Sequence, residues 1–285
     1  PDEIATKAIT LVRNDGGVLP INSNQKIAVL GISNGFDGAN TMNSLVGTLR
    51  ASGLKFGSSY LQENSTSEQA AAARKTVNEA DLVVVGLYGR VRSGARNSVG
   101  IPENGAAILR EALAANKTVI GVSFGNPYIL SSFPELKNYV IAYGDMPSLQ
   151  RATARGLLGM QPFTGKLPIS LPGLHPRGFN ASLNLPKPTA LPRPIYPPAA
   201  IAVRASGDVI VNVLIDANGM VSEANAVSGH PLLRQAAVNA AKGTQFQIDS
   251  GTRVNKMTII YRFADEGTGD SPCCDGFPYL VTIPM

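Results

Sequence analysis

Short apolar runs rich in β-branched residues alternate with helical patterns between residues 26 and 170, and this alternation restricts the possible folds more than any other feature. The runs are Ile27 to Leu30, Leu82 to Val85, Val119 to Val122 and Val140 to Ala142. Their continuous apolar character is typical of strands buried on both faces of a parallel sheet. The pattern predicts an α/β three-layer sandwich with a mostly parallel sheet and helices on both faces.

A stretch rich in proline separates this predicted domain from the rest of the chain. Because proline removes backbone donors and favours extended chain, residues 173–195 are expected to form a semi-rigid linker. The α/β domain would then cover residues 1–172, a second domain residues 196–263, and an extended tail residues 264–285.

The second domain has the pattern of a small α+β unit of ββαβ order. Its first strand carries strictly alternating apolar residues, which are Val209, Val211, Val213 and Ile215. Turn residues at 216–219 predict a hairpin to a second strand through Val227. A helix opens at Pro231, and alternating apolar residues from Met257 to Phe263 predict the last strand.

Composition and charge exclude several classes of protein. The net charge is +5, but the Lys and Arg residues are scattered along the chain, so no nucleic-acid partner is expected. No stretch approaches the roughly 20 apolar residues that cross a bilayer. The chain begins at Pro1 without a signal-like segment, and we therefore expect that an upstream part has been removed.

Neither a metal site nor a cofactor site is expected. His175 and His230 are far apart in the sequence and have no Cys or carboxylate at ligand spacing, so both are interpreted as structural. The glycine spacing that binds a dinucleotide is absent after the run at 27–30. Cys273 and Cys274 are adjacent, and such a pair rarely bridges to itself without strain.

Several sequence blocks follow one another in a fixed order across the first 172 residues. They are Ala8 to Asn14, Val18 to Ile21, Lys26 to Gly31, Phe124 to Tyr128, Ala142 to Asp145 and Pro162 to Pro172. With these blocks the N-terminal domain resembles the C-terminal domain of glycoside hydrolase family 3. The resemblance implies a non-catalytic domain whose partner is an upstream catalytic barrel that carries the nucleophile and acts on a carbohydrate substrate.

The loop at residues 86–103 departs from one branch of that family. In the β-glucosidase-like branch the corresponding loop carries the acid/base glutamate, whereas here it carries arginines and no carboxylate before Glu103. This departure resembles the β-N-acetylhexosaminidase-like branch, whose acid/base machinery lies on the barrel. Glu103 follows Pro102 at a predicted helix start, where a carboxylate interacts favourably with the helix dipole. We therefore expect no catalytic residue in this chain, and no activity from the chain alone.

Three residues of the same loop are candidates to face the substrate. Arg90, Arg92 and Ser93 follow the predicted strand at 82–87. Ligand crevices in open α/β sheets form at the carboxyl ends of strands, which places these residues at the expected position. The alternative interpretation is that the arginines form interdomain ion pairs or belong to a solvated loop.

A second resemblance covers residues 196–263 and is specific up to residue 241. Its blocks are Tyr196 to Ala199, Gly207 to Val211, Ile215 to Val221 and Val227 to Leu233, and they resemble the TonB C-terminal domain. Residues 243–247 depart from it, since the usual Trp-x-Phe-x-Pro stretch is replaced. The resemblance implies a periplasmic or secreted location, and an alternative function as a non-catalytic module that binds an envelope protein by strand addition.

Overall fold

The computed structural model describes residues 1–15, 17–21, 25–91, 98–181, 183, 186–248, 256–264 and 279–284. The helices are α1 (Asp2–Ala8), α2 (Asn43–Ala51), α3 (Ser67–Asn78), α4 (Glu103–Ala114), α5 (Pro147–Leu157), α6 (Pro198–Ala202) and α7 (Pro231–Lys242). The strands are β1 (Thr10–Asn14), β2 (Ile27–Ser33), β3 (Phe56–Gln62), β4 (Leu82–Tyr88), β5 (Thr118–Ser123), β6 (Asn138–Ile141), β7 (Lys187–Ala190), β8 (Gly207–Ile215), β9 (Val221–Ser228), β10 (Gln245–Gln247), β11 (Lys256–Ala264) and β12 (Leu280–Pro284). Two short 3-10 helices cover Ala39–Met42 and Pro127–Ser132.

The first sheet has the strand order β1-β6-β5-β4-β2-β3, and all its neighbours are parallel except the antiparallel edge pair β1 and β6. Strands β2 and β4 are buried along their whole length, as expected for the centre of a parallel sheet. One face packs against α1, α2 and α5, and the other against α3 and α4. The predicted three-layer sandwich with a mostly parallel sheet is confirmed.

The second unit contains a four-stranded sheet of order β12-β11-β8-β9, with α7 packed on β8, β9 and β11. The apolar residues of β8 are buried in strict alternation. The β8–β9 turn is held by the Asp216 carboxylate, which accepts from the backbone N–H of Asn218 at 2.8 Å and of Met220 at 2.9 Å. A ring nitrogen of His230 accepts from the N–H of Leu232 at 3.3 Å, so this histidine caps α7. The predicted ββαβ core is thus present.

Two strands lie in segments for which the sequence predicted extended chain. Within the expected linker, β7 pairs antiparallel with β10. Pro188 is compatible with β7 because this strand has a neighbour on one side only, so the missing N–H of proline breaks no ladder on the other side. Within the expected tail, β12 pairs parallel with β11 and buries Val281 and Ile283. Both pairings join segments distant in sequence, which local patterns do not report. The domain boundaries themselves stay predictions.

The second unit contacts the α/β domain at the C-terminal ends of α2 and α5. The Thr258 hydroxyl on β11 donates to the carbonyl of Leu158, the residue that follows α5, at 3.3 Å. Just beyond α2, Gly53 faces Val227, the extra residue of a bulge in β9. None of the helices in the described part of the chain combines the length and the apolar character that a membrane span requires.

Candidate functional site

Loops that follow β2, β4, β5 and β6 meet at the carboxyl edge of the first sheet. The Asn34 side chain links two of them, because its amide donates to the carbonyl of Arg90 at 2.8 Å and its oxygen accepts from the Arg90 N–H at 3.0 Å. The N–H of Asn126 donates to the carbonyl of Gly89 at 2.9 Å, and Gly125 lies so close to Gly89 that a Cβ has no room. This edge is where α/β sheets place ligand sites.

Arg90 joins two carboxylates from different loops, and we call Asp37, Arg90 and Asp145 the Arg90 triad. Nε of Arg90 donates to Oδ2 of Asp145 at 2.9 Å, Nη2 donates to the same oxygen, and Nη1 donates to Oδ2 of Asp37. The side chains are 42% exposed for Arg90, 50% for Asp37 and 25% for Asp145. The hydrogen bonds to Asp145 hold the pKa of the Arg90 guanidinium above its ordinary value.

One half-buried and one buried side chain, Tyr143 and Gln150, fix the Asp145 loop. Tyr143 has a φ of +63°, which is uncommon for a residue with a Cβ and turns the chain sharply after β6. Its hydroxyl is 2.8 Å from that of Thr10, and burial raises the pKa of Tyr143. The buried Gln150 amide donates to the carbonyls of Asp145 at 2.6 Å and of Thr41 at 2.7 Å. Asp145 is thereby tied to the segment that leads from Asp37 into α2.

Exposed apolar side chains lie on the loops that carry the triad and on the loops beside them. Each triad residue has one as its sequence neighbour, and these neighbours are Phe36, Val91 and Met146. Tyr128 and Val99 are also exposed on the adjoining loops, where the Asn126 amide donates to the carbonyl of Val99 at 2.6 Å. We call these five side chains the apolar rim. A charged centre inside an apolar rim is more typical of a surface that another molecule covers than of one that faces water alone.

Tyr88 forms the floor beneath this edge. Its ring is buried and stacks on Phe124 with centroids 4.8 Å apart, and its hydroxyl has no hydrogen-bond partner within the described part of the chain. Burial raises the pKa of Tyr88 well above its ordinary value, and the charge of Asp145 adds to the shift. The phenol is therefore neutral throughout the physiological pH range.

The structure places one of the three predicted substrate-facing residues. Arg90 lies at the carboxyl edge, and its ion-pair partners in the described part of the chain, Asp37 and Asp145, both belong to its own domain. Whether it faces the substrate or pairs with another domain stays a prediction. Arg92 and Ser93 lie outside the described residues. Glu103 begins α4 and pairs with Arg110, whose Nη1 is 2.6 Å from Oε1, in keeping with a helix-start role.

Sequence reasoning missed Asp37 and Asp145. A usable signal existed for both, since each follows a predicted buried strand and so belongs to the carboxyl edge. Among the described residues, no group of three or more His, Cys, Asp or Glu side chains is placed to hold a metal ion. What the triad offers instead is a pair of fixed carboxylates held by one guanidinium.

Comparison with known proteins identifies both parts of the chain. Residues 9–215 match the sequence model of the glycosyl hydrolase family 3 C-terminal domain, and residues 192–264 match that of the Gram-negative bacterial TonB protein C-terminal domain. No curated protein matches the sequence.

Several solved structures are similar to the chain. A glycoside hydrolase family 3 β-N-acetylglucosaminidase from Paenibacillus sp. str. FPU-7 is 21% identical with a TM-score of 0.48, and the match covers 57% of this chain and 30% of that one. A β-glucosidase from Listeria innocua in complex with glucose is 15% identical with a TM-score of 0.50, over 91% of this chain and 43% of that one. A family 3 β-glucosidase from Bifidobacterium adolescentis is 14% identical with a TM-score of 0.46, over 91% and 46%.

The chain therefore spans less than half the length of these enzymes. Both resemblances predicted from the sequence are confirmed, and the first match covers more than half of the 285 residues. The protein belongs to glycoside hydrolase family 3, of which it carries the C-terminal domain, followed by a TonB-type unit.

Proposed function

We propose that this chain is the accessory, non-barrel part of a glycoside hydrolase, and that the Arg90 triad with its apolar rim closes one side of the sugar cleft of a catalytic barrel. The observation that carries the proposal is the position of this surface. It lies at the carboxyl edge of the sheet in a domain of family 3, on a chain that spans less than half of its structural neighbours. A barrel of the same protein is the partner that would cover the rim.

The substrate class we propose is a β-N-acetylhexosaminide. Glycoside hydrolysis generally needs two carboxyl groups that flank the scissile bond. In this chain the loop at 86–103 offers Glu103 alone, and that side chain is paired with Arg110 at the start of α4. An acid/base group on the barrel, as in the β-N-acetylhexosaminidase-like branch, explains why this loop needs no carboxylate of its own. The present chain would then be inactive by itself.

The test compares the 285-residue chain with the complete gene product. Each is assayed for hydrolysis of an aryl N-acetylglucosaminide and an aryl glucoside. We expect no hydrolysis by the chain, and hydrolysis by the complete product with preference for the N-acetylglucosaminide. Hydrolysis by the chain alone at ordinary enzyme rates, or an inactive complete product, overturns the proposal. A preference for the aryl glucoside overturns only the proposed β-N-acetylhexosaminide substrate class.

A second candidate function is favoured by the TonB-type match at residues 192–264. The unit could bind an extended peptide of an envelope protein by strand addition at an outer strand of its sheet. The outer strands are β9 and β12, which carry the exposed side chains of Asn225 and Thr282. This candidate corresponds to a periplasmic or secreted protein.

Photocrosslinking in the native cell envelope tests this candidate. A photoreactive residue is placed at Asn225, at Thr282 or, as a control, at the exposed Glu79 on the helical surface of the α/β domain. We expect an envelope protein to be captured from one outer strand and not from position 79. Absence of capture from both strands would rule out strand addition.

A further inference from the structure

We infer that the carboxylates of Asp37 and Asp145 accept hydrogen bonds from hydroxyl groups of the sugar, and that Arg90 is the positioning residue that holds them. This inference rests on the function proposed above. It reverses the sequence-based expectation for Arg90, because the substrate-contacting groups become the two acids that the sequence did not single out.

The directions of the Arg90 donors are the first step. Each of its three nitrogens donates to a carboxylate oxygen, and these bonds end on Oδ2 of Asp145 or Oδ2 of Asp37. The Oδ1 atoms of both acids receive no donor from the described residues. A carboxylate has about four lone-pair sites, so both side chains keep acceptor capacity at the carboxyl edge of the sheet.

The open oxygens are held in place before a ligand arrives. The Arg90 backbone is clamped by Asn34, and the Asp145 backbone by the buried Gln150. Asp37 folds over Gly35, where a Cβ would lie 3.1 Å from Oδ2. Acceptors fixed in this way cost little conformational entropy when they bind, which favours a ligand that presents its donors in a rigid pattern.

The charges of the triad select the class of ligand. Within the triad itself, one guanidinium and two carboxylates leave a net negative charge, which disfavours an anionic group in direct contact with the two acids. The guanidinium between the acids occupies the place where a metal cation would bind both. Neutral hydroxyl groups satisfy the open oxygens through charge-assisted hydrogen bonds, and the rim can pack on the C–H faces of a sugar ring. A neutral sugar fits both requirements.

The experiment uses the complete gene product with the substitutions Asp37→Asn and Asp145→Asn. Substrates are the aryl N-acetylglucosaminide and its analogues that each lack one hydroxyl. We expect each substitution to lower kcat/KM about 10- to 100-fold, the range for a lost hydrogen bond to a charged group. For the analogue that lacks the partner hydroxyl, we expect the same substitution to change kcat/KM by a factor near one. The hydrogen bond that it would remove is already absent from that analogue.

Asp81→Asn is the matched control, because Asp81 lies just before β4 at the opposite edge and accepts from the Lys26 N–H at 3.1 Å. Melting temperatures of all variants are measured alongside. An active product in which Asp37→Asn and Asp145→Asn behave like Asp81→Asn overturns the inference and leaves the proposed function standing. An equal loss of kcat/KM on every analogue also overturns the inference, because such a loss indicates that the aspartate has a structural role. A complete product without activity removes the proposed function and this inference together.

Discussion

Arg90 is the residue that joins three loops of the carboxyl edge, and its replacement shows how much the triad contributes to stability. In Arg90→Ala the carboxylates of Asp37 and Asp145 lose their shared counter-charge. Because all three side chains are partly exposed, we expect a loss of only about 1 kcal/mol in the free energy of unfolding. The loss should shrink in about 1 M salt, where the Debye length falls to about 3 Å.

Thermal unfolding at low and high salt measures this effect. Lys7→Ala is the control, since it removes the exposed pair of Lys7 with Glu3 within α1. An Arg90→Ala protein that melts like the wild type at low salt would show that the triad does not stabilise the loops.

Tyr143 is the second residue with a measurable role in this edge. Tyr143→Phe keeps the ring and its left-handed backbone but removes the hydroxyl that bonds to Thr10. We expect a loss of about 1 kcal/mol in urea unfolding, the usual net contribution of one hydrogen bond. Tyr128→Phe is the control, because Tyr128 is exposed and its hydroxyl makes no hydrogen bond within the described residues. Equal stabilities of the two variants would contradict the assignment.

At the scale of secondary structure elements, one ion pair connects the neighbouring helices α3 and α4. Arg74 binds Glu111 through two contacts, at 2.6 Å from Nε and 3.0 Å from Nη2. The hydrogen bond from Arg74 lowers the pKa of Glu111 below its ordinary value. A lowered carboxyl pKa stabilises the fold above the unfolded value of about 4.3, and this stabilisation is lost as pH falls through the folded value.

Glu111→Gln tests that sign. We expect the wild type to be more stable than the variant at pH 7, and the difference to be smaller at about pH 3, in chemical unfolding at both pH values. Glu79→Gln should show a smaller difference, since the Lys75–Glu79 contact on the same helical surface is 4.0 Å long. A Glu111→Gln difference that is independent of pH would exclude the ion pair as its cause.

The end of α2 depends on a glycine that no other residue can replace without cost. Gly53 has a φ of +87°, and a Cβ there would lie 2.9 Å from Cβ of Val227 in the second unit. Gly47 lies within α2 and has open space at its Cβ position. We expect Gly53→Ala to destabilise the protein by more than about 1 kcal/mol, and Gly47→Ala to stabilise it by about 0.5–1 kcal/mol. Changes of the same sign in urea unfolding would contradict the contact.

The sequence predicts those secondary structure elements whose formation depends on a local pattern of residues. Strands β2, β4, β5 and β6 were predicted because a strand buried on both faces must be apolar at every position. Edge strand β3 was missed because its exposed positions carry Gly and Ser, and β12 because its partner β11 is distant in sequence. For the same reason Arg90 could be placed at the carboxyl edge, whereas its bonds to Asp37 and Asp145 depend on loops that only the fold brings together.

At the scale of the whole molecule, α2 and α5 connect the candidate site with the TonB-type unit. Their N-terminal ends follow the segments that carry Asp37 and Asp145, and they pack against each other. Their C-terminal ends meet the second unit, through Gly53 against Val227 and through the Leu158 carbonyl that accepts from Thr258. The buried apolar residues of these helices belong to one continuous cluster with those of β8 and β11.

A continuous core predicts that both parts unfold together. We expect one thermal transition by calorimetry for the whole chain, with equal calorimetric and van't Hoff enthalpies. Thr258→Val keeps the volume of the buried side chain but leaves the Leu158 carbonyl without this donor and also removes the 3.0 Å contact with Asn212. The lost hydrogen bonds should cost about 1–3 kcal/mol and lower the temperature of that single transition. Thr282→Val, at an exposed position of β12, should leave it unchanged. Two separate transitions, of which Thr258→Val shifts only one, would show instead that the TonB-type unit folds independently of the α/β domain.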